Sequence, residues 1–238
     1  TGDRGSIVGG TGNNINTGSQ QAVIVGGEVN VISGAGGDEA VIVGGESNST
    51  TQPRTVIVGG WDNDVTQTHG VVVGGYQNDC NSQYGSVVGG VSNVLTGNRG
   101  TIVGGQDNNI NSASQYAVIT GGKNNVVTGS QADSSVIVGG DLNKTHNAQA
   151  VVVGGFTNNA YSILSTVVGG WLNDANNSYT AVVGGYNLQC DAQLSAMVGG
   201  HTNAINLNSD YSVLVGGRNN VVTGAGADES VIVGGDLN

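Results

Sequence analysis

The chain has 238 residues, of which 44 are glycine, one is proline and only 10% are charged, and its formal net charge is −11. So few charged residues argue against an ordinary disordered chain, and so many glycines argue against a helical bundle. Six Lys and Arg against 17 Asp and Glu disfavour a nucleic-acid partner, and no apolar run approaches the roughly 18 residues of a membrane span.

A short motif, two or three apolar residues followed by Gly-Gly, recurs fifteen times along the chain. The steps between successive motifs are 17, 18, 15, 15, 15 and 15 residues, and this order then starts again, so that six short repeats form a super-repeat of 95 residues. We therefore predict one repetitive domain over residues 1–238, with super-repeat phases 9–103, 104–198 and 199–238. The first glycines of the motifs are Gly9, Gly26, Gly44, Gly59, Gly74, Gly89, Gly104, Gly121, Gly139, Gly154, Gly169, Gly184, Gly199, Gly216 and Gly234.

Residues at the same position of successive repeats are called a column here. The most regular polar column lies four residues after the first glycine and is Asn in fourteen repeats, with Leu188 as the exception. In a stacked parallel structure such a column predicts a ladder of hydrogen-bonded side-chain amides. Its members are Asn13, Asn30, Asn48, Asn63, Asn78, Asn93, Asn108, Asn125, Asn143, Asn158, Asn173, Asn203, Asn220 and Asn238.

The repeat length predicts an all-β fold. A 15-residue unit with β-branched triplets and glycine corners is too short for a helical hairpin and suits one coil of a parallel β-solenoid, here of about 15 coils. Each coil would contain an apolar strand, a Gly-Gly corner, a second strand around the Asn and a return loop. The extra residues of the longer coils are expected to form bulged return loops at residues 34–39, 129–134 and 224–229.

The apolar strands predict a partner. Residues 41–43, 56–58 and 151–153 are apolar throughout, whereas a strand with one wet face alternates apolar and polar residues. A narrow solenoid buries one strand face in its interior, so the other face must pack on another layer. Copies of the same chain are the simplest candidate for that layer.

Two of the motifs carry a family resemblance. Ser86–Gly90 (SVVGG) and Ser212–Gly217 (SVLVGG), each followed by an Asn of the column, resemble the head repeats of trimeric autotransporter adhesins and of viral and phage tail fibres. The resemblance covers the whole chain. It implies a left-handed parallel β-roll, three chains side by side, and a location at a cell surface or on a virion, where such heads bind host surfaces or matrix.

The two ends of the chain continue the repeat. Residues 1–5 (TGDRG) correspond to residues 96–100 (TGNRG), and residues 236–238 (DLN) repeat residues 141–143. An open solenoid end is an unpaired strand edge. We therefore expect a longer array or head-to-tail contacts between copies, which give open filaments when they do not close.

Aromatic residues concentrate in the column directly after Gly-Gly. In register their rings would form a row along one edge of the solenoid. The row predicts either a contact between chains that buries the rings or a surface on which sugar rings stack. Its members are Trp61, Tyr76, Phe156, Trp171, Tyr186 and His201.

The remaining reactive residues favour structural interpretations. Cys80 and Cys190 occupy a small apolar column and lie too many coils apart for a disulfide, so we expect buried free thiols. His69, His146 and His201 show no zinc spacing, and no catalytic or phosphate-binding motif is present, so we expect no enzyme and no bound metal.

Two further patterns admit a second interpretation. Acidic side chains recur in and after the long loops and offer a weak calcium site, although solvated loops are the simpler expectation. Three glycosylation sequons begin at Asn48, Asn143 and Asn176, of which the first two use the Asn column and so favour an inward structural amide. The acidic residues are Asp38, Glu39, Glu46, Asp133, Asp141, Asp228, Glu229 and Asp236.

The combined pattern predicts a structural protein that self-assembles into an extracellular fibre. Its partners would be copies of itself, as a homotrimer or a head-to-tail filament. An adhesin or tail-fibre shaft that binds surface glycans through the aromatic row is the alternative. Ice binding is a third function, because plant ice-binding β-rolls also use coils such as Asn30–Gly34 (NVISG), but it requires a continuous Thr array that the sequence lacks.

Overall fold

The computed structural model describes residues 4–34, 37–224 and 227–238. The start of the chain (Thr1–Asp3) and parts of the expected loops at 34–39 and 224–229 lie outside these residues. The protein is a parallel β-solenoid of about 15 coils, which confirms the predicted fold class. It comprises two compact units, residues 1–121 and 122–238.

Among the described residues, each coil contributes two strands, except the last, which contributes one (β29). The strands of the first unit are β1 (Ser6–Ile7), β2 (Asn14–Ile15), β3 (Val23–Ile24), β4 (Val31–Ile32), β5 (Val41–Ile42), β6 (Ser49–Thr50), β7 (Val56–Ile57), β8 (Asp64–Val65), β9 (Val71–Val72), β10 (Asp79–Cys80), β11 (Ser86–Val88), β12 (Val94–Leu95), β13 (Thr101–Val103), β14 (Asn109–Ile110) and β15 (Val118–Thr120). Those of the second unit are β16 (Val126–Gln131), β17 (Val136–Val138), β18 (Lys144–Asn147), β19 (Val151–Val153), β20 (Asn159–Ala160), β21 (Thr166–Val168), β22 (Asp174–Ala175), β23 (Ala181–Val183), β24 (Gln189–Cys190), β25 (Ala196–Val198), β26 (Ala204–Ile205), β27 (Val213–Val215), β28 (Val221–Val222) and β29 (Val231–Val233).

In each unit the odd-numbered strands form one parallel sheet, sheet 1, and the even-numbered strands form another, sheet 2. The register follows the sequence columns, so that Ile57 pairs with Val72 and Val65 pairs with Cys80. The second strand begins one residue after the column Asn, rather than around it as predicted. In the expected loop at 129–134, residues 129–131 instead extend β16, whose register against β18 shifts between Val127 and Gln131.

The core is a double row of apolar side chains. The middle residue of each sheet 1 motif points inward, as do Ile57 and Ile102, and so does the second residue of each sheet 2 strand, as do Ile32 and Leu95. All four side chains are fully buried. This inward position alternates with outward ones because successive side chains of a strand point to opposite faces.

A ladder of amides joins the coils beside the Gly-Gly corners. The side-chain oxygen of Asn48 accepts hydrogen bonds from the backbone N–H of Asn63 (3.1 Å) and from its Nδ2 (3.0 Å). The same Nδ2 also donates to the carbonyl of Gly75 in the next coil, at 3.1 Å. Each Asn therefore links its own corner to the coils on both sides, and the amide is satisfied although it is buried.

The second glycine of each corner is required for two reasons. Gly60 has a φ of +87°, a conformation that disfavours residues with a side chain. A Cβ there would also collide with Asn63 Nδ2 and with the carbonyl oxygen of Gly75. The first glycine, Gly59, also has a positive φ, but a Cβ there would make only an ordinary contact, 3.7 Å from the carbonyl oxygen of Val43. The Asn ladder and the Gly-Gly corner thus depend on each other.

The ladder is interrupted once in the second unit. Leu188 replaces the Asn, and its backbone N–H still donates to Asn173 Oδ1 at 3.0 Å. Its side chain is buried and offers no oxygen to the backbone N–H of Asn203, and no amide to the carbonyl of Gly200. At Leu188 the column therefore has fewer hydrogen bonds between coils than at an Asn position.

We expect Asn63→Leu to destabilise the protein by about 3 kcal/mol, because the buried N–H of Asn78 loses its acceptor and the carbonyl of Gly75 loses one of its two donors. Leu188→Asn should instead stabilise it by about 1 kcal/mol, because it restores the missing bonds. Denaturant unfolding of both variants measures the difference. Equal destabilisation by the two changes would contradict the role given to the ladder.

Candidate functional site

The column directly after Gly-Gly forms its own line of parallel bridges between coils. Trp61 bridges Tyr76 in the first unit, and Phe156, Trp171 and Tyr186 bridge one another in sequence in the second. These bridges keep the aromatic side chains at the coil spacing of about 4.8 Å. The structure therefore places the predicted aromatic residues in two rows, one in each unit.

The rings of the second unit contact one another in an unbroken series. Phe156 meets Trp171 edge-to-face at 5.8 Å between centroids, and Trp171 meets Tyr186 edge-to-face at 5.2 Å. Tyr186 stacks on His201 at 4.8 Å. In the first unit, the row is the single Trp61–Tyr76 pair, whose ring centroids lie 5.0 Å apart.

An apolar groove of about 330 Å³ lies between Phe156 and Trp171. The two residues are 40% and 49% exposed. Because Trp171 stands at nearly right angles to Phe156, the rings form the walls of a cleft rather than one flat platform. The cleft can take an apolar face of a ligand or a side chain of another protein.

A second ladder of planar side chains, in the return loops of the first unit, was not predicted. His69 stacks on Tyr84 at 4.6 Å, and the guanidinium of Arg99 lies 5.6 Å from the Tyr84 ring and 5.3 Å from the Tyr116 ring. Arg99 Nη1 also donates to the Tyr116 hydroxyl at 2.7 Å. These positions have φ near +60°, as do Arg54 and the other residues of this corner column.

A sequence signal for this second ladder did exist. Arg54, His69, Tyr84 and Arg99 follow one another at intervals of 15 residues. Planar and cationic side chains in one column predict ring and cation–π stacking once the register is known. This column was hard to recognise in the sequence because it lies in the return loops, where apolar and polar residues do not alternate.

The acidic loop residues mostly have partners within the chain. Asp38 accepts a hydrogen bond from the backbone N–H of Gln20 at 2.6 Å, and Glu39 pairs with Arg54 at 2.8 Å. Asp228 accepts from a backbone N–H in the same way. Among the described residues, no three His, Cys, Asp or Glu side chains group as metal ligands do. A calcium site in these loops stays a prediction.

The two cysteines and the sequon residues of the Asn column lie inside the solenoid, whereas the third sequon residue, Asn176, is half-buried. Asn48 and Asn143 are fully buried in the amide ladder, as an inward structural position requires. Cys80 and Cys190 are buried free thiols. Burial raises the pKa of Cys80 to about 11 and that of Cys190 to about 12.

The outward threonines do not form an unbroken row. Most of them lie in the column that directly follows the sheet 2 strands. In the first unit this column contains Thr51, Thr66 and Thr96, but Asn81 interrupts it between Thr66 and Thr96. Ice binding, which needs a regular array, stays a prediction that thermal hysteresis would test.

Comparison with known proteins adds no family: neither a protein-family model nor a curated protein matches this sequence. In the part of the chain that the structure describes, no helix is long and apolar enough to cross a membrane.

The thiols predict a pH dependence of stability. In the unfolded chain they ionise near their ordinary pKa of 9.0, whereas the folded chain keeps Cys80 protonated up to about pH 11. Between these values the unfolded state binds fewer protons, so stability falls as the pH rises, by about 3 kcal/mol for Cys80. Cys80→Ala with Cys190→Ala should flatten this decline in denaturant unfolding, and an unchanged slope would contradict it.

Proposed function

We propose that this protein is a structural protein whose copies associate through the outward face of sheet 1. The third residue of each sheet 1 motif, which directly precedes Gly-Gly, is valine in fourteen of the fifteen repeats. Eleven of these valines, from both units, are each 38–43% exposed. They are Val25, Val43, Val58, Val73, Val88, Val103, Val138, Val153, Val168, Val183 and Val198. We call them, together with the first residues of the same motifs, the valine face.

The absence of charge from this face carries the proposal. Its first-residue column contains only Val, Ser, Thr and Ala, and its third-residue column contains only Val and one Thr. The chain has 23 Asp, Glu, Lys and Arg residues, and none of them stands in these two columns. Extended apolar surfaces without charge are typical of protein interfaces.

A second copy of the chain is the partner that fits this face. Sheets pack face to face at about 10 Å when their side chains interdigitate. Within each unit, a face with a valine in nearly every coil matches the spacing of another face that has the same repeat. Side-by-side packing would then bury the valines of both copies, and a homotrimer or a filament would result.

The fibre role and the extracellular location belong to the same proposal. The strands of each unit pair continuously along the coils, which supports mechanical resistance. Few Lys and Arg residues leave few sites for proteases that cut at basic residues. Both properties suit a fibre outside the cell or on a virion.

Charges on the valine face should prevent association. We expect Val73→Lys with Val88→Lys to remove about 2 kcal/mol of burial per valine and to weaken self-association roughly 1,000-fold. Sedimentation and electron microscopy of the wild type and the variant measure this. Thr17→Lys with Ala113→Lys, at exposed loop positions of the same unit, is the control with equal added charge. A wild type that stays monomeric, or a control that dissociates equally, would overturn the proposal.

Glycan binding through the aromatic row is the second candidate, favoured by the apolar cleft between Phe156 and Trp171. We expect Phe156→Ala with Trp171→Ala to abolish binding to a printed glycan array while assembly persists. Trp61→Ala with Tyr76→Ala alters the aromatic pair of the first unit and serves as the control. If assembly is lost instead, the row is a contact between chains.

A further inference from the structure

A polar groove of about 320 Å³ runs along the first unit, between the ends of the sheet 2 strands and the return loops. Its lining comes from four successive coils and consists of amide and hydroxyl side chains. The lining residues are Gln67, Asn81, Gln83, Thr96, Asn98 and Ser112. The groove therefore follows the direction in which the coils stack.

Most of the groove amides have no partner within the chain. Asn98 Oδ1 accepts from the backbone N–H of Gln83 at 3.2 Å, and Thr96 donates to a backbone carbonyl at 3.0 Å. The side-chain amides of Gln67, Asn81 and Gln83 make no hydrogen bond to the described residues, and all three residues are exposed. Their donors and acceptors are available to a ligand.

The equivalent positions one super-repeat later show the contrast. Gln67 and Gln83 correspond to Ser162 and Ser178, whose hydroxyls bond each other at 3.0 Å. Asn81 corresponds to Asn176, which donates to Asp191 Oδ1 at 2.7 Å. The second unit thus satisfies these polar groups internally, whereas the first unit leaves them open.

The two planar side chains that follow groove residues in the chain have partners of their own. Tyr84 and Arg99 directly follow the groove residues Gln83 and Asn98 in the chain. Tyr84 stacks on His69 and lies against the Arg99 guanidinium, and Arg99 also donates to the Tyr116 hydroxyl, so neither side chain is counted among the open groups of the groove.

We propose that this groove binds a neutral, linear, β-1,4-linked polysaccharide. Amides donate and accept at once, which suits the paired hydroxyls of sugars. No ionisable residue lines the groove, and the chain is acidic, so an anionic glycan is disfavoured. The coil spacing of about 4.8 Å is close to the length of one sugar residue in an extended chain, which allows one sugar per coil.

Equilibrium dialysis with cellohexaose tests the site, because it works for single chains and for assemblies. Maltohexaose is the control ligand, since its α-1,4 links curl the chain away from a straight groove. We expect cellohexaose to bind in preference to maltohexaose. Asn81→Ala with Gln83→Ala should weaken binding roughly tenfold or more, because hydrogen bonds to two amides are lost.

A matched variant is the control for this site. Asn176→Ala with Ser178→Ala changes the equivalent positions of the second unit and should leave cellohexaose binding unchanged. Circular dichroism confirms that each variant keeps its strands. No binding of cellohexaose by the wild type, or equal loss in the control variant, would overturn the proposal. The valine face lies on sheet 1, so failure of self-association would not affect this outcome.

Discussion

The hydrogen-bonded contact between the column Asn and the Gly-Gly corner is the constraint on which the remaining structure depends. Each amide joins its own corner to two neighbouring coils, and each second glycine leaves the space that the amide and the next carbonyl require. Buried amides without partners would be costly. The ladder therefore keeps the coils in one register, and all surface properties follow from that register.

Register turns each sequence column into a line on the surface. The valines that recur in nearly every coil form an uncharged face. The aromatic residues directly after Gly-Gly form rows of contacting rings, and the amides at the return loops line a groove. No single side chain of these lines is unusual. Repetition at about 4.8 Å gives them the size and regularity by which they could recognise another repeating molecule, whether a second copy or a polymer of sugars.

The interior columns were the predictable part of this protein. The inward residue of the apolar motif, the second glycine and the Asn lie in positions where a side chain of another kind would collide, leave a gap or lose its hydrogen bonds, so the sequence shows them as near-invariant columns. The return loops were less predictable. Tyr84, Arg99 and Tyr116 belong to one column, but its members vary in chemistry and two steps differ in length, so the ladder was missed.

The sequence by itself determined the parallel solenoid, the number of coils and the alignment of columns, because repeat length and glycine spacing permit few other backbones. Only the tertiary structure decided how neighbouring side chains share their contacts. It showed that Trp171 contacts Phe156 edge-to-face. It also showed that the side-chain amides of Gln67 and Asn81 make no hydrogen bond to the described residues, whereas the amide of Asn176 donates to Asp191. These outcomes depend on side-chain orientations across coils, which periodicity along the chain does not specify.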